Sequence, residues 1–302
     1  MIDVTTRRPL GATGLSARPF GLGTARLGAF WQGRSVPDGR RALDAALGGG
    51  VDLVDTADCY ARGVSERLVG RAVRSRPACV MTKVGLLKTP VALASARRHA
   101  AGGGTRERLV GLASGPAAAT CFESGYVLQA AARCRRRQRV EALDVLLLHE
   151  PTAQDLRDAR FLPAVDRLLG AGEVRAWGAS VRDVHAAQAA LELPGLGLLQ
   201  IPCSAVDTSV VDAVRDRAAA LGVALVGIAA LGDGQLIERA AAVRPGAPRS
   251  TLVAELGAAA LATPGIDAVL LGMSTATHVQ EVLAALPSAD GRELAADLRR
   301  AS

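Results

Sequence analysis

Eight short apolar runs alternate with Ala- and Arg-rich segments of helical character along this chain, and no other feature narrows its possible folds as much. The runs are 18–25 (RPFGLGTA), 51–57 (VDLVDTA), 78–85, 143–150, 174–180, 196–203, 223–230 and 267–273. Most are continuously apolar rather than alternating, as parallel strands covered on both faces must be. Helix candidates fall at 37–48, 65–75, 122–139, 155–171, 183–192, 209–221, 250–262 and 276–286. Ser65 reads as an N-cap with acidic Glu66 in the first turn, and Asp183 as the cap of its helix. Eight such units in 302 residues predict one α/β domain over 1–302, a (β/α)8 TIM barrel. An open doubly wound sheet would want GxGxxG after its first strand, and Gly21-Leu22-Gly23-Thr24 does not continue that way. Segment 86–121 has no clear period and reads as a long loop at the barrel mouth, with a helical turn at Ser95–His99 as the alternative.

Composition removes several function classes. Net charge is +7, and only Lys83 and Lys88 among the basic residues are lysines. The densest basic run, Arg133 to Arg139, contains no aromatic residue and reads as the exposed end of a helix. A nucleic-acid surface would interleave stacking rings with its charges, so no nucleic-acid partner is expected. The five cysteines, Cys59, Cys79, Cys121, Cys134 and Cys203, are scattered and never in CxxC spacing. That predicts a reducing compartment and neither a disulfide framework nor a metal site. MIDVTTRRPLG lacks the apolar centre of a signal peptide, and no apolar run reaches membrane-span length. The expectation is a cytoplasmic protein with no membrane partner.

The run VDLVDTADCY raises a specific question: it begins as a core strand and ends on two carboxylates, a thiol and one of only two tyrosines. Acids are rare in cores unless paired. Candidate partners stand at the ends of the next two strands, Lys83 in MTKVG and His149 in LLLHEP. In a (β/α)8 barrel these strand ends surround one mouth. Asp55, Tyr60, Lys83 and His149 would then meet in one pocket, a set suited to carbonyl reduction. Negative charge builds on the carbonyl oxygen; a Tyr hydroxyl can protonate it, with a Lys lowering the phenol pKa. A carboxylate keeps that Lys charged, and a His adds a hydrogen bond to the oxygen.

These motifs resemble the aldo-keto reductase family, in particular its bacterial branch related to potassium-channel β subunits. LGATGLSARPFGLGTARLG is similar to the family's opening hairpin and first strand, and GVDLVDTADCYARGVSERLVGRAV to its most recognisable motif. TKVG, LDVLLLHEP and EVRAWGASV follow in family order. The resemblance implies an N-terminal β-hairpin cap, NADP(H) or NAD(H) at the barrel mouth, and Asp55, Tyr60, Lys83 and His149 as the catalytic tetrad. It implies Gly23 and Thr24 near the cofactor, Ser180 and Gln200 on the nicotinamide amide, and Phe30 and Trp31 beside Tyr60 and His149 at the substrate. Ile228, Gly272, Ser274, Thr275, His278 and Glu281 fall where the family completes its cofactor cradle. Departures are also visible. Val181 replaces an Asn, Ile228 replaces a stacking aromatic, Ala229-Ala230-Leu231 replaces SPL, and 272–278 lacks the basic residues that hold an adenosine phosphate.

The expected function is NAD(P)H-dependent interconversion of a small aldehyde or ketone and its alcohol, with Tyr60 as proton donor; oligomers are compatible with it. The altered cradle leaves two alternatives: the same acid–base set used for dehydration, isomerisation or cyclisation without net redox chemistry, or a non-catalytic cofactor-sensing protein.

Overall fold

The computed structural model describes residues 3–28, 35–88, 90–99 and 119–301. The chain opens with a hairpin, β1 (Arg8–Pro9) and β2 (Ser16–Ala17), antiparallel with Arg8 opposite Ala17. The apolar runs become β3 (Phe20–Gly23), β4 (Leu53–Asp55), β5 (Cys79–Val84), β6 (Leu143–His149), β7 (Val174–Ser180), β8 (Leu198–Pro202), β9 (Ala224–Ile228) and β10 (Ala268–Gly272). They close in the order β10-β3-β4-β5-β6-β7-β8-β9, so each of these eight strands is paired on both sides. Between and after them run α1 (Val36–Gly48), α2 (Val64–Ala72), α3 (Pro90–His99), α4 (Ser124–Gln138), α5 (Ala153–Asp158) and α6 (Leu162–Gly170). The later helices are α7 (Val184–Ala190), α8 (Ser209–Leu221), α9 (Gln235–Val243), α10 (Arg249–Leu261), α11 (Ala276–Ala285) and α12 (Gly291–Arg300). This is the predicted (β/α)8 barrel with its hairpin.

Continuous apolarity follows from the two-sided burial. Alternate strand residues such as Leu53, Met81, Val145, Leu147 and Leu198 fill the barrel interior. Their neighbours, including Val54, Val80 and Leu146, pack outward against the helices. Leu10 and Ala17 of the hairpin join the interior cluster and plug the N-terminal end. Gly11 makes this plug fit. Its φ is +55°, and an added Cβ would lie 2.3 Å from the Gly222 carbonyl oxygen and 2.6 Å from the Ala224 nitrogen. Neither backbone atom can swing away. Gly11→Ala should therefore lower stability by about 2–3 kcal/mol, from left-handed strain plus overpacking, read as a shift of the urea midpoint.

The helix boundaries depart from expectation at identifiable residues. The helix predicted at 155–171 is two. Ala159 turns left-handed (φ 51°) after α5, and Pro163, which cannot donate within a continuing helix, falls in the first turn of α6. The expected cap at Ser65 is also corrected. Helix α2 begins at Val64 behind Gly63, and Ser65 is buried inside it. Asp183 does cap α7, accepting from the Ala186 N–H. Within 86–121, the described part is helix α3 and a bridge between Leu86 and Thr120; residues 100–118 lie outside the described residues. Among the described residues no helix is long and apolar enough to cross a membrane.

Candidate active site

Strand register assembles the mouth. Gly272 pairs with Gly23, and Gly23 with Asp55. On the other side His149 pairs with Ser180, and Ser180 with Gln200. Beyond β4 the chain keeps bonding to β5. Thr56 N–H donates to the Met81 carbonyl (2.8 Å) and Asp58 N–H to that of Lys83 (3.0 Å). This extension carries the chain past Lys83 and ends in a turn at Tyr60–Gly63. Ala61 and Arg62 in that turn are left-handed (φ 46° and 54°), a conformation that costs non-glycine residues about 1–2 kcal/mol each. The strain sits where the phenol is presented.

The Lys83 ammonium, 2% exposed, has three hydrogens for four acceptors, so one hydrogen is shared between two of them. It donates to both Asp55 oxygens (2.6 Å each), to the Thr56 carbonyl (3.2 Å) and to the Tyr60 hydroxyl oxygen (3.3 Å). Burial opposes its charge, but Asp55 and Tyr60 together more than offset this, so the amine titrates above its usual value. Because Lys83 donates to the phenol oxygen, the phenol's own hydrogen is left for another acceptor. Burial raises the Tyr60 pKa and outweighs the opposing effect of Lys83. The sequence expectation of a phenol lowered by Lys83 is corrected to that extent: the resting phenol is a neutral acid.

His149 lies edge-on to the Tyr60 ring, with centroids 5.7 Å apart. Burial, then Lys83, Lys88 and Arg182, hold its pKa well below the usual imidazole range, so it is neutral. Its Nδ1 lies 3.8 Å from Cys59 Sγ. Burial pushes that thiol up to about 12, so it carries its proton and is the donor. The imidazole proton then belongs on Nε2.

The two acids of DTAD part company. Asp55 joins Lys83 and accepts from Gln200 Nε2 (2.6 Å). Asp58 has Glu66, Arg137 and Arg133 as its charged neighbours, and its Oδ1 has no hydrogen-bond partner among the described residues. Burial first, then Glu66, raises Asp58 to about 7. Between the ordinary carboxylate pKa and about 7 the folded state keeps a proton that the unfolded chain releases, so stability falls as pH rises through that window. Asp58→Asn should flatten this slope and raise stability at pH 8 by about 2–4 kcal/mol, measured by urea unfolding at pH 5 and pH 8.

Beneath the site, Thr24 Oγ1 donates to the Asp55 carbonyl (2.7 Å), and Ser65 Oγ lies 2.6 Å from Thr24 Oγ1 and 2.8 Å from Thr56 Oγ1. Glu66, fully buried, accepts from Thr82 (2.7 Å), Gln138 (3.2 Å) and Arg137.

A cavity of ≈ 380 Å³ opens at the mouth. Asp55, Tyr60, Lys83 and His149 all line it, with Gly23, Ser180 and Gln200. Ile228, Gly272, Ser274 and His278 line its far side. Thr24 does not line it and instead bonds inside the barrel wall; Thr275, which caps α11, and Glu281 are also outside the lining. Phe30 and Trp31 lie outside the described residues. Trp177 is barrel packing, 5.7 Å from Phe161. Sequence reading missed Arg26, Arg249 and Asp233, which also line the cavity. Arg249 opens α10 and pairs with Glu238 (2.9 Å). In a chain this rich in arginine, neither Arg26 nor Arg249 carried a signal.

A sequence model of the Aldo/keto reductase family matches residues 19–253. The chain belongs to that family. Among its relatives in the family is the pyridoxal 4-dehydrogenase of Microbacterium luteolum, 38% identical over 90 residues, covering 29% of this chain and 26% of that protein. Another is the D-threo-aldose 1-dehydrogenase of a Pseudomonas species, 27% identical over 179 residues, covering 58% and 53%. The chain thus spans about a quarter and about half of these two relatives. Among solved aldo-keto reductases, the holo form of AKR11C1 from Bacillus halodurans superposes with a TM-score of 0.76 at 20% identity, covering 99% and 97% of the two chains. An NADPH complex from Klebsiella pneumoniae gives 0.69 at 20% identity, covering 98% and 95%. At these identities the structural likeness is one of fold.

Proposed function

We propose that this chain is an NAD(P)H-dependent oxidoreductase that interconverts a small aldehyde or ketone and the matching alcohol. The observation that carries this reading is the buried Asp55–Lys83–Tyr60 relay beside a neutral His149 in one cavity.

The lining fits a dinucleotide. Gln200 turns its amide nitrogen to the Asp55 carboxylate, and its Oε1 is buried with no hydrogen-bond partner among the described residues. A carboxamide N–H is the donor that such an oxygen lacks, and Ser180 stands one strand away in register. Val181, where family members have Asn, adds no polar side-chain contact. Arg26 and Arg249 supply positive charge that the 272–278 segment lacks, while Asp233 opposes it. Bound there, a reduced nicotinamide would supply a hydride to the carbonyl carbon. The protein's own part is the proton. Tyr60 gives its hydrogen to the carbonyl oxygen as negative charge develops there. Lys83 stabilises the phenolate left behind, and Asp55 keeps Lys83 charged. The Nε2–H of His149 can donate to the same oxygen. In the alcohol-oxidising direction the same groups act in reverse.

Pyridoxal 4-dehydrogenase and D-threo-aldose 1-dehydrogenase, by their names, act on a polar aldehyde and an aldose. A small hydroxylated carbonyl compound is the substrate class we favour. The free, buried cysteines accord with a cytoplasmic location.

Fluorescence titration with NADH and NADPH tests the reading. Saturable binding by at least one is expected. No binding up to millimolar concentration would favour acid–base chemistry without net redox, the alternative that Val181 supports. Arg249→Gln should weaken dinucleotide binding by about tenfold; a loss confined to NADPH would assign Arg249 to the adenosine phosphate.

A further inference from the structure

On the outer flank of the barrel, just past the Tyr60–Gly63 turn, α2 and α4 enclose a groove of ≈ 610 Å³. Its lining shares no residue with the mouth. Arg67, Arg71 and Arg74 line one side, and Arg133, Arg136, Arg137 and Arg139 the other. Val36, Val64 and Leu68 complete the wall.

The spacing stacks like charges. Arg67 and Arg71 are i,i+4 on α2, and Arg133 and Arg137 are i,i+4 on α4. Such pairs destabilise a helix on their own. The negative C-terminal ends of both helices attract Arg71, Arg136 and Arg137. They do not account for Arg67 and Arg133, a turn or more earlier. Of these arginines only Arg137 is ion-paired among the described residues, with buried Glu66. Among the described residues, Arg67, Arg71, Arg74, Arg136 and Arg139 have no carboxylate within ion-pair distance. Arg133 donates to Gln129 Oε1 (2.7 Å) and Ser95 Oγ (3.3 Å), lies over the Tyr126 ring (5.7 Å to its centroid) and is a charged neighbour of Asp58, while its Nη2 is buried with no hydrogen-bond partner among the described residues. A buried guanidinium N–H without a hydrogen-bond partner, beside five cations with no carboxylate in ion-pair range among the described residues, is what a bound anion would satisfy.

The chemistry of that anion is readable. Guanidinium forks match phosphoryl oxygens in bidentate fashion, and several of them converging suit adjacent phosphates better than one isolated charge. No aromatic ring lines the groove, so stacked bases find no platform. The volume lies within the range of small-molecule sites. We propose that this groove is a second ligand site, for a small molecule carrying two or more adjacent phosphoryl groups. It does not depend on the chemistry proposed for the mouth.

Isothermal titration of the full chain with inorganic tripolyphosphate tests it. The wild type should bind, and the double variant Arg71→Gln/Arg136→Gln should lose about tenfold or more in affinity. Arg249→Gln, which alters only the mouth, should leave that binding in place. Without ligand, the double variant should melt no lower than wild type, because it relieves repulsion. No binding at about 1 mM, loss of binding in Arg249→Gln instead, or a lower melting temperature of the double variant would each overturn the proposal. So would a single-stranded oligonucleotide that binds the groove while tripolyphosphate does not.

Discussion

Tyr60→Phe should lower kcat for carbonyl reduction by about 10²–10⁴-fold, the usual contribution of a positioned general acid, and leave the protein folded. The phenyl ring keeps the packing against His149 and the ammonium of Lys83 5.0 Å from its centroid. Only the hydroxyl is removed, and with it the acceptor of one Lys83 hydrogen bond. Dinucleotide affinity should change little, because Gln200, Ser180, Arg26 and Arg249 remain. A fall in kcat with unchanged cofactor affinity and melting temperature separates a proton donor from a structural phenol. A variant that retains wild-type turnover removes Tyr60 from the mechanism. Because burial holds the phenol above its ordinary pKa, the donor stays protonated across the physiological range. Loss of the reductive rate through Tyr60 ionisation should therefore occur only in alkaline solution.

Lys83→Met should damage both activity and stability. The substitution leaves the Asp55 carboxylate, 5% exposed, with Gln200 Nε2 as its remaining side-chain donor. Breaking a buried ion pair by removing one partner costs about 3–5 kcal/mol. Asp55→Asn in the same chain removes the stranded charge. The double variant should therefore be more stable than the sum of the two single losses implies, a coupling measurable in a double-mutant cycle. Activity should not recover with stability, because the phenolate left after proton transfer still lacks its cation. Strict additivity of the two stability losses would deny the pair its place.

The parts that were legible in the sequence share a physical cause. Strands covered on both faces must be apolar throughout, so an ionisable residue at a strand end stands out. Asp55, Lys83 and His149 were readable for that reason, and the barrel rule then placed them at one mouth. Tyr60 was readable because tyrosine is so scarce in this chain. Asp58 was not, since only the loop's continued bonding along β5 sends it to different neighbours from Asp55, three residues before it. Thr24 was expected beside the cofactor, but its hydroxyl bonds to Ser65, 41 residues away, a pairing no local pattern announces. Helices α9 and α12 escaped because eight strand–helix units already completed the pattern. Yet Asp290 caps α12 and Leu294, Ala295 and Leu298 form its buried stripe, so that signal was present. The direction of the Tyr60 shift depends on how deeply the ring is buried, which no spacing reveals.

Hydride transfer to a carbonyl carbon, with the relay protonating the oxygen, is the central claim, and isotope transfer tests the hydride step most directly. Turnover of a small hydroxylated aldehyde with a reduced dinucleotide deuterated at both C4 positions should yield an alcohol with one deuterium on the former carbonyl carbon, as read by mass spectrometry. Product formation with no deuterium at that carbon would contradict the account.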